Sequence, residues 1–304
     1  MDMSIVTNKG IQSVRAHEDN SCCFRALTGN AVRLIFEITR RCNLRCKHCM
    51  VSAGIEQPVG MSHDRILHLM KELKENNISK IMFTGGEPLL VEHIVDYVRI
   101  ATGDGLMVDM NSNLTLATEA MIADLCGAGI QEVTTSIDGS EATHCGIRGD
   151  KSCYRNTLRA IEGFTRRGVH VDVVCTLMDS NLHEAESVLR LCESIGVASL
   201  TFSGLIIDGR AEPGQATYTT GDVQNMIGTL RESAEIPVRT VRLLNADYSC
   251  CHKGIDMIGI AYDGSVHPCL QDKLSSSMNI SNHTLAECIS FVRKNNDHCC
   301  QCAL

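Results

Sequence analysis

The chain has 304 residues, 44% of them apolar, with a formal charge of -8 and 17 cysteines. That length accommodates one large α/β domain and a smaller module around a substantial core, and the acidic balance argues against nucleic acid and fits a cationic small-molecule partner. No apolar run approaches membrane length and the opening MDMSIVTNKG lacks the charged-then-apolar order of a signal peptide, so a cytoplasmic protein with no membrane partner is expected.

A polar extension (1–30) precedes the first β-rich run, VRLIFEI (32–38). Immediately after it, RRCNLRCKHCM (40–50) places Cys42, Cys46 and Cys49 on a loop. Ser62 is expected to cap a helix whose inner face is Ile66, Leu67, Met70 and Leu73. Strand-like runs then recur at KIMFTG (80–85), LMVDMNS (106–112), EVTTSID (132–138), VHVDVVCTL (169–177) and ASLTFSGLI (198–206), separated by helix-period segments. Asn181 is expected to cap a helix running through Val188, Leu191 and Ile195 to a stop at Gly196.

Six β/α units in a row imply right-handed crossovers and a parallel sheet, so the expected fold class is α/β, an incomplete (β/α)6 TIM-like barrel over residues 31–215. Chemistry in such folds gathers at the carboxyl ends of the strands, where the cysteine loop begins. From 216 to 304 the pattern changes to a small α+β module. A helix at about 221–234 leads to SCCHKGIDMIGIAYDGSVHPCL, where Asp263-Gly264 marks a hairpin turn. Thr284 and Glu287 form a capping box for a last helix before the terminal CCQCAL.

In a cytoplasmic setting so many cysteines speak for metal or redox chemistry before disulfides. Cys126, Cys175 and Cys192 lie in apolar periodic segments and read as core filler. The loop cysteines do not: three thiolates neither close a tetrahedral site nor supply one ligand to each of four irons, so a coordination position stays open. By spacing alone a zinc loop is an alternative. GGEP (Gly85, Gly86, Glu87, Pro88) ends the second strand, with glycines that let the backbone approach a ligand and a glutamate able to accept from an ammonium. MNSN (110–113), SIDG (136–139) and HCGIRG (144–149) follow.

Cysteines spaced C-x3-C-x2-C after a first strand, with those four stretches in that order, resemble the radical S-adenosylmethionine (radical SAM) superfamily. The resemblance implies that Cys42, Cys46 and Cys49 hold three irons of a [4Fe-4S] cluster, the fourth taking the amino and carboxylate groups of S-adenosylmethionine. An electron from an external donor such as flavodoxin or ferredoxin then releases a 5′-deoxyadenosyl radical that abstracts hydrogen. It further implies that Gly85, Gly86 and Glu87 meet the methionine amine and Arg148 its carboxylate. Asn111, Asn113, Ser136 and Asp138 fall where the family binds the ribose and nearby groups, and His48 takes the aromatic position near the adenine.

Cys251, Gly264-x4-Cys269 and Cys299-x2-Cys302 resemble the single-cluster auxiliary module called twitch, which implies a second [4Fe-4S] cluster closed by four cysteines. A four-cysteine structural zinc suits the same spacing, and Cys300 rivals Cys299 as a ligand. Cys250, beside Cys251, is either an inert thiol or a hydrogen-atom donor. A spare cysteine beside a ligand, one twitch cluster and this length resemble neomycin C epimerase-type aminoglycoside-tailoring enzymes. That resemblance implies an epimerase in antibiotic biosynthesis acting on a cationic aminosugar, with Cys250 as donor and Asp208, Glu212 and Asp247 as candidate contacts. Three other readings remain: a dehydrogenase of aminocyclitols, a peptide-modifying enzyme, and a non-catalytic iron-sulfur or zinc protein. The polar start is smaller than the leader-binding domain that peptide modifiers often carry.

Overall fold

The alternation of side chains along the strands decides the layering. Leu34, Phe36 and Ile38, Ile81 and Phe83, Val108 and Met110, Val171 and Val173, Leu200 and Phe202 are buried in one continuous core. They share one face of a sheet, and the helices cover it. The opposite face is polar: Lys80 pairs with Asp109 and lies 3.3 Å from Glu132, while Thr134, Thr176 and Thr201 are half-exposed. The computed structural model describes residues 4–5, 12–13, 32–241, 257–268, 270 and 278–294.

A two-residue antiparallel ribbon pairs β1 (Ser4–Ile5) with β2 (Gln12–Ser13). The main sheet holds β3 (Val32–Thr39), β4 (Ile78–Gly85), β5 (Met107–Asn111), β6 (Glu132–Ser136), β7 (His170–Thr176) and β8 (Ser199–Ser203), paired in chain order and all parallel. These are the six expected strands. A seventh parallel strand, β9 (Val238–Val241), joins beyond β8. Four residues after a helix carry too little periodicity to mark it in the sequence. At the other edge β10 (Met257–Ile260) runs parallel to β3 and turns back into β11 (Val266–His267). The turn is the Asp263-Gly264 expected, with Gly264 at φ +84°. The hairpin therefore extends the barrel's own sheet.

Helices α1 (His63–Glu75), α2 (Ile94–Gly103), α3 (Glu119–Gly127), α4 (Glu141–Arg148), α5 (Cys153–Thr165), α6 (Ala185–Ser194), α7 (Thr220–Ser233) and α8 (Leu285–Lys294) complete the described elements. Ser62 caps α1 by accepting from the Arg65 N–H at 3.3 Å. The buried stripe is Ile66, Leu69, Met70 and Leu73. Leu69, not Leu67, completes the i, i+3, i+4, i+7 spacing of one helical face.

Asn181 does not cap α6. Its Oδ1 accepts from the Met178 N–H at 2.7 Å and its amide donates to the carbonyls of Asp138 and Thr176, pinning the loop after β7. A 3-10 turn at Leu182–Glu184 intervenes, and α6 starts after Glu184. The capping box of α8 forms as read: Glu287 accepts from the Thr284 N–H at 2.8 Å and the Glu287 N–H reaches the Thr284 hydroxyl at 3.3 Å. Cys175 and Cys192 are core residues.

Candidate functional site

The loop leaving β3 is laced to three other parts of the fold. The N–H groups of Arg45 and Lys47 donate to the carbonyls of Arg148 and Ile147, at 3.3 and 2.9 Å, using acceptors that the end of α4 leaves unpaired. The glycines after β4 seat its base. Gly85 has φ +134°, and a Cβ there would lie 2.1 Å from the Thr39 carbonyl oxygen; at Gly86 it would lie 2.2 Å from that of Arg41. The close approach these glycines permit includes the chain's own β3 exit, which seats the turn against the cysteine loop. The N–H groups of Gly86 and Glu87 donate to those same two carbonyls at 2.7 and 2.9 Å. Gly85→Ala is expected to cost roughly 2–5 kcal/mol from backbone strain and overpacking, read as a lowered urea midpoint together with loss of bound iron.

Each cysteine sulfur of the loop has its own donors. Cys42 Sγ accepts from the Leu44 N–H at 3.4 Å and the Asn113 amide at 3.8 Å. Cys46 Sγ accepts from Arg148 Nη1 at 3.8 Å, and Cys49 Sγ from the Ala53 N–H at 3.3 Å. Burial pushes the Cys42 thiol up to about 12 against the pull of the Leu44 N–H, the nearby Glu87 adding to the rise. Burial raises Cys46 too, opposed by Arg148. Bare thiolates are disfavoured here, and iron would supply the compensating charge. Among the described residues no three His, Cys, Asp or Glu side chains converge as a single metal ion requires. A multi-iron cluster, whose thiolates bind separate irons, does not ask for that convergence. Three donor-supported cysteines, each able to bind a separate iron, fit a [4Fe-4S] cluster.

Glu87 is fully buried and ties the ends of β4 and β5 together. Oε1 accepts from the Leu89 N–H at 3.0 Å and the Ser112 hydroxyl at 2.6 Å, and Oε2 from the Asn113 N–H at 2.8 Å. Burial lifts its carboxyl to about 7 although all three donors oppose the rise. Of its roughly four lone-pair positions, one remains for an ammonium. Asn113 also donates to Asn43 Oδ1 at 3.0 Å, while its own Oδ1 is taken by Thr115. Asn111 ends β5 with Oδ1 buried and without a partner among the described residues, an acceptor suited to a bound hydroxyl or amine.

Asp138 is fully buried, and its carboxylate serves protein groups: Arg148 Nε donates to Oδ2 at 2.6 Å and the Thr176 N–H to Oδ1 at 3.2 Å. Burial would raise it, but the charges of Arg148, His48 and His144 outweigh that and hold it at about 2. Burial likewise works against the Arg148 charge, yet Asp138 and Cys46 hold its pKa above the ordinary arginine value. Asp138 thus aims Arg148 at the cysteine loop, leaving the far end of the guanidinium for an anion.

Burial, helped by Arg148, takes His48 down to about 4, and its Nδ1 is buried without a partner among the described residues. A neutral ring there suits stacking or hydrogen bonding to a heterocycle. Ser136 closes β6, half-buried. Cys250, Cys251, Cys269, Cys299 and Cys302, with Asp247, lie outside the described residues. Glu212 is exposed, and Asp208 accepts from the Gly209 N–H at 2.7 Å.

Three contributors have no role assigned by the sequence alone. Ser112 supplies the hydroxyl on Glu87. His144 Nδ1 accepts from the Asp138 N–H at 3.2 Å. Arg210 clamps the loop, with Nε on the Cys46 carbonyl and Nη1 on that of Ala53, both at 2.8 Å. Gly209, at φ +61°, lets that clamp approach: a Cβ would lie 2.3 Å from the Cys49 carbonyl oxygen. Asp208-Gly209 is a turn signal that could have been noticed, whereas nothing in the sequence ties Arg210 to a loop so far upstream.

This arrangement has relatives. Residues 36–192 match the model of the Radical SAM superfamily. An AdoMet-dependent heme synthase of Oleidesulfovibrio alaskensis is 35% identical over 184 residues, 60% of this chain and 47% of that protein. The sporulation killing factor maturation protein SkfB of Bacillus subtilis is 26% identical over 255 residues, 78% of this chain and 60% of that one. The chain spans about half the length of the first of these and 60% of the second. The crystal structure of Streptococcus suis SuiB bound to S-adenosylmethionine superposes with a TM-score of 0.72 at 12% identity, covering 86% of this chain and 68% of that one, which is a likeness of fold. With its partial barrel, its cysteine loop and a family match over more than half its length, the chain belongs to the radical SAM superfamily.

Proposed function

We propose that this enzyme binds S-adenosylmethionine over the cysteine loop and inverts one carbon of a polar substrate held on the open face of the sheet. The observation that carries the first part is the buried Asp138–Arg148 pair, which presents a fixed cation beside the Cys46 sulfur. Arg148 would take the methionine carboxylate, and Glu87 and the Gly85-Gly86 turn its amine. Asn111, Asn113 and Ser136 would line the ribose, and His48 the adenine. Bound together, a [4Fe-4S] cluster and S-adenosylmethionine supply a carbon-centred oxidant able to remove hydrogen from an unactivated carbon.

The second part rests on Cys250 in SCCHKG. Its sulfur–hydrogen bond is weaker than a carbon–hydrogen bond, so it can return hydrogen to the opposite face; one electron from an external donor and one proton then restore the thiol. Cys251, Cys269, Cys299 and Cys302 would hold a second [4Fe-4S] cluster. A cationic aminosugar is the leading substrate, supported by the overall acidity and the hydroxyl-bearing open face. A peptide is the second, favoured by the share of this chain that aligns with a maturation protein.

Anaerobic turnover in heavy water, with candidate aminoglycosides and peptides in separate arms, is expected to place one deuterium at the inverted carbon. Cys250→Ala should still release 5′-deoxyadenosine when substrate is added, with inversion reduced at least 100-fold by mass spectrometry and chromatography. A carbonyl product would instead establish a dehydrogenase. Full inversion by Cys250→Ala would remove the donor assignment.

A further inference from the structure

Two cysteines outside the ligand set face each other beside the loop. Cys145 lies on α4 and Cys153 opens α5, and their sulfurs are 3.6 Å apart, Cys153 donating to Cys145. The turn between them explains the approach. Gly149 takes the left-handed conformation that ends α4, at φ +80°, and Asp150 then accepts from the Ser152 N–H at 2.7 Å, so α5 starts back against α4. Cys153 is fully buried and Cys145 is partly exposed. Both pack in the same small apolar cluster as Cys42, Cys46 and Cys49.

The first sulfur is therefore accessible and the second is within reach of it, which is the order thiol–disulfide exchange requires. The separation must shorten from 3.6 Å to the roughly 2.05 Å of a sulfur–sulfur bond. We infer that Cys145 and Cys153 form a dithiol site for low-molecular-weight disulfides. The Cys145 thiolate attacks a disulfide such as oxidised glutathione, forming a mixed disulfide and expelling one thiolate. Cys153 then attacks the Cys145 sulfur and expels the second. The protein loses two electrons and two protons, and the small disulfide becomes two thiols.

The consequence reaches the cluster loop through α4. That helix carries Arg148, and its last two carbonyls hold the N–H groups of Arg45 and Lys47. A bond between Cys145 and Cys153 would staple the end of α4 to α5 and quieten the loop.

The test treats the anaerobic holoenzyme with oxidised glutathione, blocks free thiols with iodoacetamide and maps the peptides by mass spectrometry. Expected is a Cys145–Cys153 cross-link, reversed by dithiothreitol, that forms at least tenfold faster than modification of the half-buried Cys126. Cys153→Ser should arrest at glutathione on Cys145, and Cys145→Ser should leave Cys153 free. Hydrogen exchange at the amides of residues 45 and 47 should slow at least twofold in the oxidised protein. Separate alkylation of both cysteines in the wild type, absence of glutathione from Cys153→Ser, or unchanged exchange would overturn the proposal. None of these readouts depends on turnover, so their failure is distinct from failure of the epimerase reading.

Discussion

Alanine at Cys42, Cys46 or Cys49 is expected to remove about four irons per chain and to abolish reductive cleavage of S-adenosylmethionine. Iron and sulfide analysis of anaerobically reconstituted protein, beside 5′-deoxyadenosine release with dithionite, reads both effects. Each replacement removes the acceptor of at least one of the loop's N–H groups or of Arg148, so folding is checked by circular dichroism. The cysteines proposed to hold a second cluster should keep their iron in all three variants. Cys46→Ala with undiminished cleavage would show that the loop is not the ligand set.

The Asp138–Arg148 pair should show the largest effect on stability. Asp138→Asn leaves the Arg148 charge buried and uncompensated, at a cost of about 3–5 kcal/mol. The double variant Asp138→Asn, Arg148→Met should recover part of that loss, because an uncharged pair does not carry the penalty, and urea denaturation of all four proteins in a double-mutant cycle measures the coupling. Additive losses would mean that the two side chains act independently. The pH dependence has a definite sign. With Asp138 held at about 2 and an ordinary aspartate near 3.9, its contribution is complete above the higher value, fades as pH falls from the higher to the lower, and is gone below it. His144, taken down to about 4 chiefly by burial, works in a higher window. The unfolded chain protonates it first, so the part of stability that a His144→Gln variant removes should decline as pH drops from about 6.5 toward 4, while Glu87, lifted to about 7, works in the opposite direction.

The cysteine loop and the six central strands were legible because each signal is local. Cys42, Cys46 and Cys49 span eight positions, and the strands are apolar runs that end in recognisable turn residues. What failed to show depends on contacts far apart in the chain. Gly85 and Gly86 carry no mark saying whether a ligand or Thr39 comes close. Asp138 reads as a free acceptor until the fold brings Arg148 against it, and Ser112 and Arg210 are ordinary until register and loop path place them. The family resemblance supplied the candidate residues; the packing revealed which of them bind one another.

The hairpin along β3 bears on how the cysteine loop keeps its shape. Tyr262, in that hairpin's turn, donates its N–H to Glu37 at 3.4 Å, receives the Met61 N–H on its carbonyl at 3.0 Å and carries Arg40 over its ring at 4.5 Å. Both ends of the segment that bears the thiols are thus anchored to residues more than two hundred positions later. A protein cut short before Met257 would bare the rim of its first barrel strand and remove one anchor from each end of the segment. Assembly of the iron site would then wait until translation had passed Tyr262.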